Sequence, residues 1–256
     1  MAFCELKYFS KSLEKCVAAN VILPEIDHPG PFPVLYLLHG LSDDHTMWQR
    51  RTSIERYVQN LPLMVVMPDT GRGFYIDAKE GPAWESSIIN DLIPFIDSRF
   101  NTVASRQGRC LAGLSMGGYG AVRFALKFPN LFSAAVSHSG AVAFAHWNLS
   151  AENRPDNAFG VEMCRIIGEN SSGGPDDLYT MAENLPADSR PALRLDCGVD
   201  DFLLPANRDF HAHLETIGFP HTYLEFPGAH TWEYWDLHIR EAVAFMAEQL
   251  SIAPGK

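Results

Sequence analysis

The chain has 256 residues, of which 46% are hydrophobic and 20% charged, and its 31 acidic and 20 basic side chains give a formal net charge of −11. A chain of this size buries a core without disulfides or structural metals, so small stapled folds are excluded. The acidic balance leaves no basic surface for phosphate backbones or anionic membranes, so we expect neither nucleic acid nor membranes as partners.

The five cysteines are widely spaced, without the close pairs of zinc sites or redox motifs. They are Cys4, Cys16, Cys110, Cys164 and Cys197. We interpret them as buried small hydrophobes in a reducing compartment. Residues 1–13 lack the basic and apolar regions of a secretory signal, and no apolar run approaches the ~20 residues that a membrane span requires. The sequence therefore predicts a cytoplasmic protein.

Apolar runs separated by turn residues predict the first strands of the chain. Residues 4–9 and 17–23 indicate a hairpin, because only a short polar segment separates them. Residues 34–38 and 63–67 are continuously apolar, which is typical of strands buried on both faces of a parallel sheet.

Helical periodicity first appears at residues 53–60, where Ser53 is the candidate N-cap. Strands and helices then continue to alternate. In chain order we predict a helix at about 84–99, a strand at 109–112, a helix at 117–128, strands at 132–137 and 192–196, a helix at 207–217, a strand at 221–226 and a helix at 232–250.

This alternation stops between residues 141 and about 187, where Asn, Ser, Gly, Pro and Asp are frequent and only residues 161–167 are amphipathic. A stretch of this length inside a compact domain usually has a function, such as that of a lid. We therefore predict one α/β domain over residues 1–256, with a mostly parallel, doubly wound sheet and a cap-like insertion at about 141–187.

Residues 113–117 match the pattern G-x-S-x-G. They lie between a predicted strand and a predicted helix, which is the context of a sharp turn that exposes a serine hydroxyl above a sheet. The glycines leave room for neighbouring backbone at such a turn. The alternative is a Gly-rich turn that merely closes an ordinary crossover. We select Ser115 as the candidate nucleophile.

A serine hydroxyl needs a neighbouring base and an acid that orients this base. Only His230 lies in a short turn, residues 227–230, directly after a predicted strand. His138 and His146 come too early in the chain to follow the acid. The side chains of His211 and His213 diverge on a predicted helix, which also argues against a shared metal ion. His221 and His238 are interpreted as surface residues.

The acid is expected after the strand at 192–196, where Gly198 turns the chain and Asp200 and Asp201 follow. Either carboxylate is able to face His230.

An oxyanion also requires N–H donors, and the candidates are those of Met116 and Leu41, the second presented by the turn at Gly40. A metal site at Asp43, Asp44 and His45 is the alternative use of that loop, although no distant residue at ligand spacing completes it.

Four motifs together resemble the esterase D superfamily, most closely its bacterial tributyrin-esterase branch. They lie at residues 38–41, 113–120, 197–203 and 228–235. The similarity covers nearly the whole chain and implies an α/β-hydrolase that cleaves short-chain carboxylic esters without a cofactor. The family pattern also places the acid three residues beyond the strand-ending Gly198, which selects Asp201.

We therefore expect a serine carboxylesterase that acts on a small-molecule ester. Acetylxylan and feruloyl esterases belong to the same superfamily and are the first alternative. S-Formylglutathione hydrolases are less favoured, because residues 39–43 and 117–120 depart from their usual pattern. A catalytically silent binding module would have lost a member of the triad, and all three are present.

The natural ester depends on residues 141–187, whose conformation the pattern does not predict. Phe144 and Trp147 in this insertion, and Trp232 after His230, are candidates for the substrate-lining surface. Each is also suited to a small local core. Assembly into a homo-oligomer stays open.

Overall fold

Eight strands form one sheet in the computed structural model, which describes residues 1–25, 29–146 and 156–253. In chain order they are β1 (Ala2–Ser10), β2 (Lys15–Leu23), β3 (Val34–Leu38), β4 (Met64–Pro68), β5 (Arg109–Leu114), β6 (Ala134–His138), β7 (Ala192–Gly198) and β8 (His221–Phe226). Across the sheet the order is β1-β2-β4-β3-β5-β6-β7-β8. The hairpin of β1 and β2 joins β4 in antiparallel pairing, and the pairs from β4 to β8 are parallel.

Helices cover both faces of this sheet. They are α1 (Met47–Arg51), α2 (Ile54–Val58), α3 (Trp84–Ser86), α4 (Ile93–Arg99), α5 (Met116–Lys127), α6 (Ala158–Ile167), α7 (Leu178–Asn184), α8 (Leu204–Thr216) and α9 (Trp232–Gln249). No helix within residues 1–25, 29–146 and 156–253 is long and apolar enough to cross a membrane.

Strand β3 shows why its sequence is continuously apolar. Val34, Tyr36 and Leu38 point into the core layer that also holds side chains of α5. Leu35 and Leu37 point into the opposite layer, together with side chains of α9. All five side chains are fully buried. The prediction of strands buried on both faces is confirmed.

The predicted helix at 84–99 is interrupted by a π-helical segment, Ser87–Leu92, between α3 and α4. Pro94 lies two residues after this segment and has no N–H to donate to the carbonyl of Asn90, so regular α-helical bonding is lost here. The Ser53 side chain does not cap α2. Instead, the Ser53 N–H donates to Asp236 Oδ1 at 2.7 Å.

Two other predictions about side chains are wrong. Only Cys110 and Cys197 are buried among the five free cysteines, and Cys16 is exposed because it lies near the turn of the edge hairpin. His238 is not a surface residue, since only 4% of it is exposed. Its ring stacks on Phe226 of the neighbouring strand, with 4.2 Å between the ring centroids.

The described part of the insertion contains α6, which includes the predicted amphipathic segment, and α7, which was not predicted. The Asp177 carboxylate caps α7 by accepting a hydrogen bond from the Tyr179 N–H at 3.1 Å. This helix has only seven residues, too few to show a helical period in the sequence.

Candidate active site

Ser115 lies on the sharp turn between β5 and α5 with φ 52° and ψ −116°. Non-glycine residues rarely adopt a positive φ, and such strain concentrates at functional sites. The flanking glycines are sterically required. A Cβ on Gly113 would lie 2.3 Å from the Gly117 carbonyl oxygen, and a Cβ on Gly117 would lie 2.4 Å from that of Leu38.

Hydrogen bonds hold the backbone of Ser115 on both sides. Its N–H donates to the His138 carbonyl at 2.9 Å, and its carbonyl accepts from the N–H groups of Tyr119 and Ala141 at 3.1 and 3.0 Å. The side chain of Ser115 borders an apolar pocket. Ser115 therefore lies at the carboxyl end of β5, beside this pocket.

His230 and Asp201 meet beside this edge of the sheet. Asp201 follows β7, His230 follows β8, and Nδ1 of His230 lies 2.8 Å from Oδ2 of Asp201. An ionised carboxylate only accepts hydrogen bonds, so Nδ1 carries the proton and Nε2 keeps a lone pair. The Asp201 side chain is fully buried, whereas Asp200 is exposed. Of the two candidate carboxylates, Asp201 is therefore the one that contacts the imidazole.

The surroundings of Asp201 keep its carboxyl group ionised. Burial raises its pKa, but hydrogen bonds from His230, from the Leu203 N–H and from the Ser139 hydroxyl outweigh burial, so the pKa lies below its usual range. The Leu203 N–H donates to the second oxygen at 2.8 Å. A carboxylate held in this way stabilises a positively charged imidazole beside it.

The two candidate oxyanion donors lie at the same pocket. Met116 is the first residue of α5, and Leu41 follows β3; both residues line the pocket. Within the described chain, neither backbone N–H donates to a protein acceptor. Both are therefore free to bind a substrate oxygen.

His39 fixes the peptide that presents the Leu41 N–H. Nε2 of His39 accepts from the Thr70 N–H at 3.1 Å, so Nδ1 is protonated and donates to the Gly40 carbonyl at 2.8 Å. In a trans peptide the N–H points opposite to the carbonyl. The hydrogen bond to the Gly40 carbonyl therefore directs the Leu41 N–H away from His39.

We expect this buried imidazole to make stability depend on pH. Burial lowers the pKa of His39, whereas the hydrogen bond to the Gly40 carbonyl and the nearby carboxylates raise it. Burial has the larger effect, so the pKa lies below its ordinary value of 6.5. Below about pH 6.5 the unfolded chain therefore binds a proton that His39 of the folded protein does not. The contribution of His39 to the free energy of unfolding is fully present above that pH and is lost as the pH falls below it. The melting temperature should fall between pH 7 and pH 5, and fall less in His39→Gln. Equal pH slopes for the two proteins would contradict this.

The carboxylates considered for a metal site serve the loop instead. Asp43 Oδ2 accepts from the Gly40 N–H at 3.1 Å, and Asp44 Oδ1 accepts from both the N–H and the hydroxyl of Thr46. Among the residues that the structure describes, no group of three ligating side chains is arranged to hold a metal ion.

The pocket beside Ser115 has a volume of about 260 Å³ and almost purely apolar walls. Its lining residues are Leu41, Phe74, Ser115, Met116, Ala141, Phe144, Phe159, Gly160, Met163, Phe202 and Leu203. Phe144, a candidate for the substrate-lining surface, is one of them and stacks on Phe74, with 3.7 Å between the ring centroids.

The other two candidates for the lining are placed differently. Trp232 packs edge-on against Trp48 and Trp235, with centroid distances of 5.4 and 5.3 Å, and is not part of the pocket lining. Trp147 lies outside the described residues. Sequence reasoning missed Phe202, whose ring lies 4.6 Å from that of His230. The sequence could have indicated Phe202 as a residue of the site, because it directly follows the candidate acid Asp201.

A comparison with protein families assigns this chain to a known family. The Esterase family matches residues 10–246. The chain belongs to this family. An acetyl esterase of Caldicellulosiruptor saccharolyticus is 29% identical over 265 residues, which cover 97% of this chain and 99% of the relative.

Solved structures agree with this assignment. The substrate-bound fluorophosphonate-binding serine hydrolase FphF of Staphylococcus aureus is 33% identical, with a TM-score of 0.85 and coverage of 96% of this chain and 98% of its own. The S-formylglutathione hydrolase FrmB of the same organism, an apoenzyme structure, is also 33% identical, with a TM-score of 0.82 and the same coverage. The esterase D resemblance and the α/β-hydrolase fold are confirmed, and this esterase is a serine carboxylesterase.

Proposed function

We propose that this esterase hydrolyses short-chain acyl esters through an acyl-enzyme on Ser115. The observation that carries the proposal is the 2.8 Å contact between His230 and the buried Asp201, beside a serine held at φ 52°. The histidine contact orients a base, and the strained turn exposes a nucleophile, as the triad mechanism requires.

In the first step the Ser115 hydroxyl oxygen attacks the ester carbonyl carbon while Nε2 of His230 takes its proton. The N–H groups of Leu41 and Met116 donate to the oxygen that becomes negative. The tetrahedral intermediate then breaks its bond to the alcohol oxygen, which receives the proton from His230. The acyl group stays on Ser115 and the alcohol leaves.

In the second step a water molecule replaces the alcohol. His230 takes a proton from this water, whose oxygen attacks the acyl carbon, and the same two N–H groups bind the oxyanion again. Collapse breaks the bond to the Ser115 oxygen, which regains its proton from His230. A carboxylic acid is released and the enzyme returns to its starting state.

The pocket supports a preference for acetyl to butyryl esters. Each added methylene contributes up to about 0.8 kcal/mol of apolar burial only while the pocket has room for it, and the stacked rings of Phe74 and Phe144 are part of its wall. We therefore expect kcat/KM for p-nitrophenyl esters to rise, peak between acetate and butyrate, and fall for longer chains. A steady increase through the decanoate would contradict a closed pocket.

We also infer a cytoplasmic location. The free state of all five cysteines supports it, because an oxidising compartment favours disulfides. Fractionation of the producing cells tests this inference, and recovery of the native enzyme outside the cytoplasm would contradict it.

A further inference from the structure

Helix α6 forms one wall of the apolar pocket beside Ser115. Phe159, Gly160 and Met163 line the pocket, and Glu162 lies between two of them in sequence on a different side of the helix. The position of α6 relative to the rest of the pocket therefore sets how wide the pocket is.

Glu162 is bound by an arginine from the loop that also carries the pocket residue Phe74. Nε of Arg72 lies 2.7 Å from one carboxylate oxygen and Nη2 lies 2.7 Å from the other, a bidentate arrangement. Arg72 precedes Phe74, which lines the pocket, by two residues. The ion pair thus connects the loop that carries Phe74 to the helix that carries Phe159 and Met163.

The far end of α6 is held by main-chain bonds. The N–H groups of Lys79 and Glu80 donate to the carbonyls of Ile166 and Arg165 at 3.1 and 2.9 Å. Substituting the side chains of the ion pair leaves these bonds in place. If the ion pair is lost, the half of α6 that carries Phe159 is therefore freer to move outward than the half that ends at Ile167.

The connection between the two walls is electrostatic and in contact with solvent. The Arg72 side chain is 46% exposed and the Glu162 side chain 34% exposed. Hydrogen bonds from Arg72 lower the pKa of Glu162, so the carboxylate stays charged at neutral pH. Salt screens exposed charge pairs, and the strength of this connection should therefore depend on ionic strength.

The pocket is placed to receive the acyl part of an ester. Ser115 and both candidate oxyanion donors, Leu41 and Met116, border it, whereas the His230 ring is outside its lining in the described chain. The alcohol must leave past His230, which protonates it, so the acyl chain occupies the pocket.

We propose that the Arg72–Glu162 ion pair determines acyl-chain specificity by holding α6 close over the pocket and so disfavouring chains longer than butyryl. This inference rests on the proposed function, because it assigns the pocket to the acyl group of the ester that Ser115 attacks.

The test compares the ratio of kcat/KM for p-nitrophenyl hexanoate to that for p-nitrophenyl acetate. In Glu162→Gln and in Arg72→Gln we expect this ratio to rise by up to about fivefold, the most that an exposed ion pair is worth. The acetate rate should stay within about twofold of wild type. The wild-type ratio should also rise between low salt and 1 M NaCl, whereas the ratio of Glu162→Gln should not respond.

Arg208→Gln is the matched control. Arg208 makes the same bidentate contact with Glu225, at 2.7 and 2.7 Å, and borders no part of the pocket. Its ratio should equal that of wild type. The charge-swapped double variant Arg72→Glu with Glu162→Arg should restore the wild-type ratio, because it rebuilds an ion pair with the charges exchanged.

An unchanged ratio in both Arg72→Gln and Glu162→Gln, or an equal rise in Arg208→Gln, would overturn the inference and leave the proposed function intact. A wild-type protein without Ser115-dependent hydrolysis would instead overturn the proposed function, and this inference with it. The two failures are distinguished by the wild-type rate on acetate.

Discussion

Replacing Ser115 with alanine is expected to lower kcat for p-nitrophenyl acetate by about 10⁴ to 10⁶. Without the hydroxyl no acyl-enzyme forms, and only water attack assisted by the N–H groups of Leu41 and Met116 remains. The backbone at this turn also accepts alanine, because the change adds no atom near Gly113 or Gly117. The activity should therefore be lost without loss of folding, and an unchanged melting temperature would verify this.

Ser98→Ala is the control for this substitution. Ser98 lies on α4, and its hydroxyl donates to the Phe95 carbonyl at 2.9 Å on the protein surface. Its rate should equal that of wild type. A fluorophosphonate reagent, which phosphonylates activated serines with loss of fluoride, should label wild type and Ser98→Ala but not Ser115→Ala. If Ser115→Ala kept a tenth of the wild-type rate, with contaminating esterase excluded, Ser115 would not be the nucleophile.

Asp201→Asn is expected to lower kcat by up to about 10⁴. The amide carries no charge to stabilise the protonated imidazole. Its NH₂ group also favours the tautomer of His230 in which Nδ1 accepts, so that Nε2 carries the proton and no longer takes one from Ser115. Binding of the substrate in the apolar pocket depends neither on the charge at residue 201 nor on the tautomer of His230, so KM should change much less than kcat.

Asp200→Asn is the matched substitution one residue earlier. Asp200 is exposed, and its interaction with the loop of His230 is a main-chain bond, from its N–H to the Gly228 carbonyl at 2.9 Å. This bond survives the substitution, so kcat should stay within about twofold of wild type. A large loss in Asp200→Asn with a small loss in Asp201→Asn would show that the other carboxylate orients His230.

The strands and the candidate triad residues could be selected from the sequence because local constraints determine them. A strand buried on both faces, such as β3, needs apolar side chains at every position. Ser115 was selected as the candidate nucleophile because the turn requires Gly113 and Gly117. His230 was selected as the candidate base because it lies in a loop after a strand. The contact of Asp201 with His230 agrees with the choice made from the resemblance.

The burial of particular side chains and the walls of the pocket could not be predicted, because they depend on contacts between segments that are distant in sequence. The burial of His238 comes from stacking on Phe226, which no helical pattern reveals. The pocket wall formed by α6 is likewise set by packing over the sheet, and Glu162 resembles any exposed helical carboxylate until Arg72, 90 residues away, is placed beside it. Helix α7 is too short for periodicity to indicate it.

The residues of the proposed triad follow strands that have different numbers of neighbouring strands. Ser115 follows β5, which is paired on both sides by β3 and β6. His230 follows β8, an edge strand, which is paired only with β7. Edge elements open at lower free energy than central ones. Transient detachment of β8 would displace His230, the proposed base, while the turn that carries Ser115 stays folded. Mild denaturant should therefore inactivate this esterase before the central strands exchange their amide hydrogens.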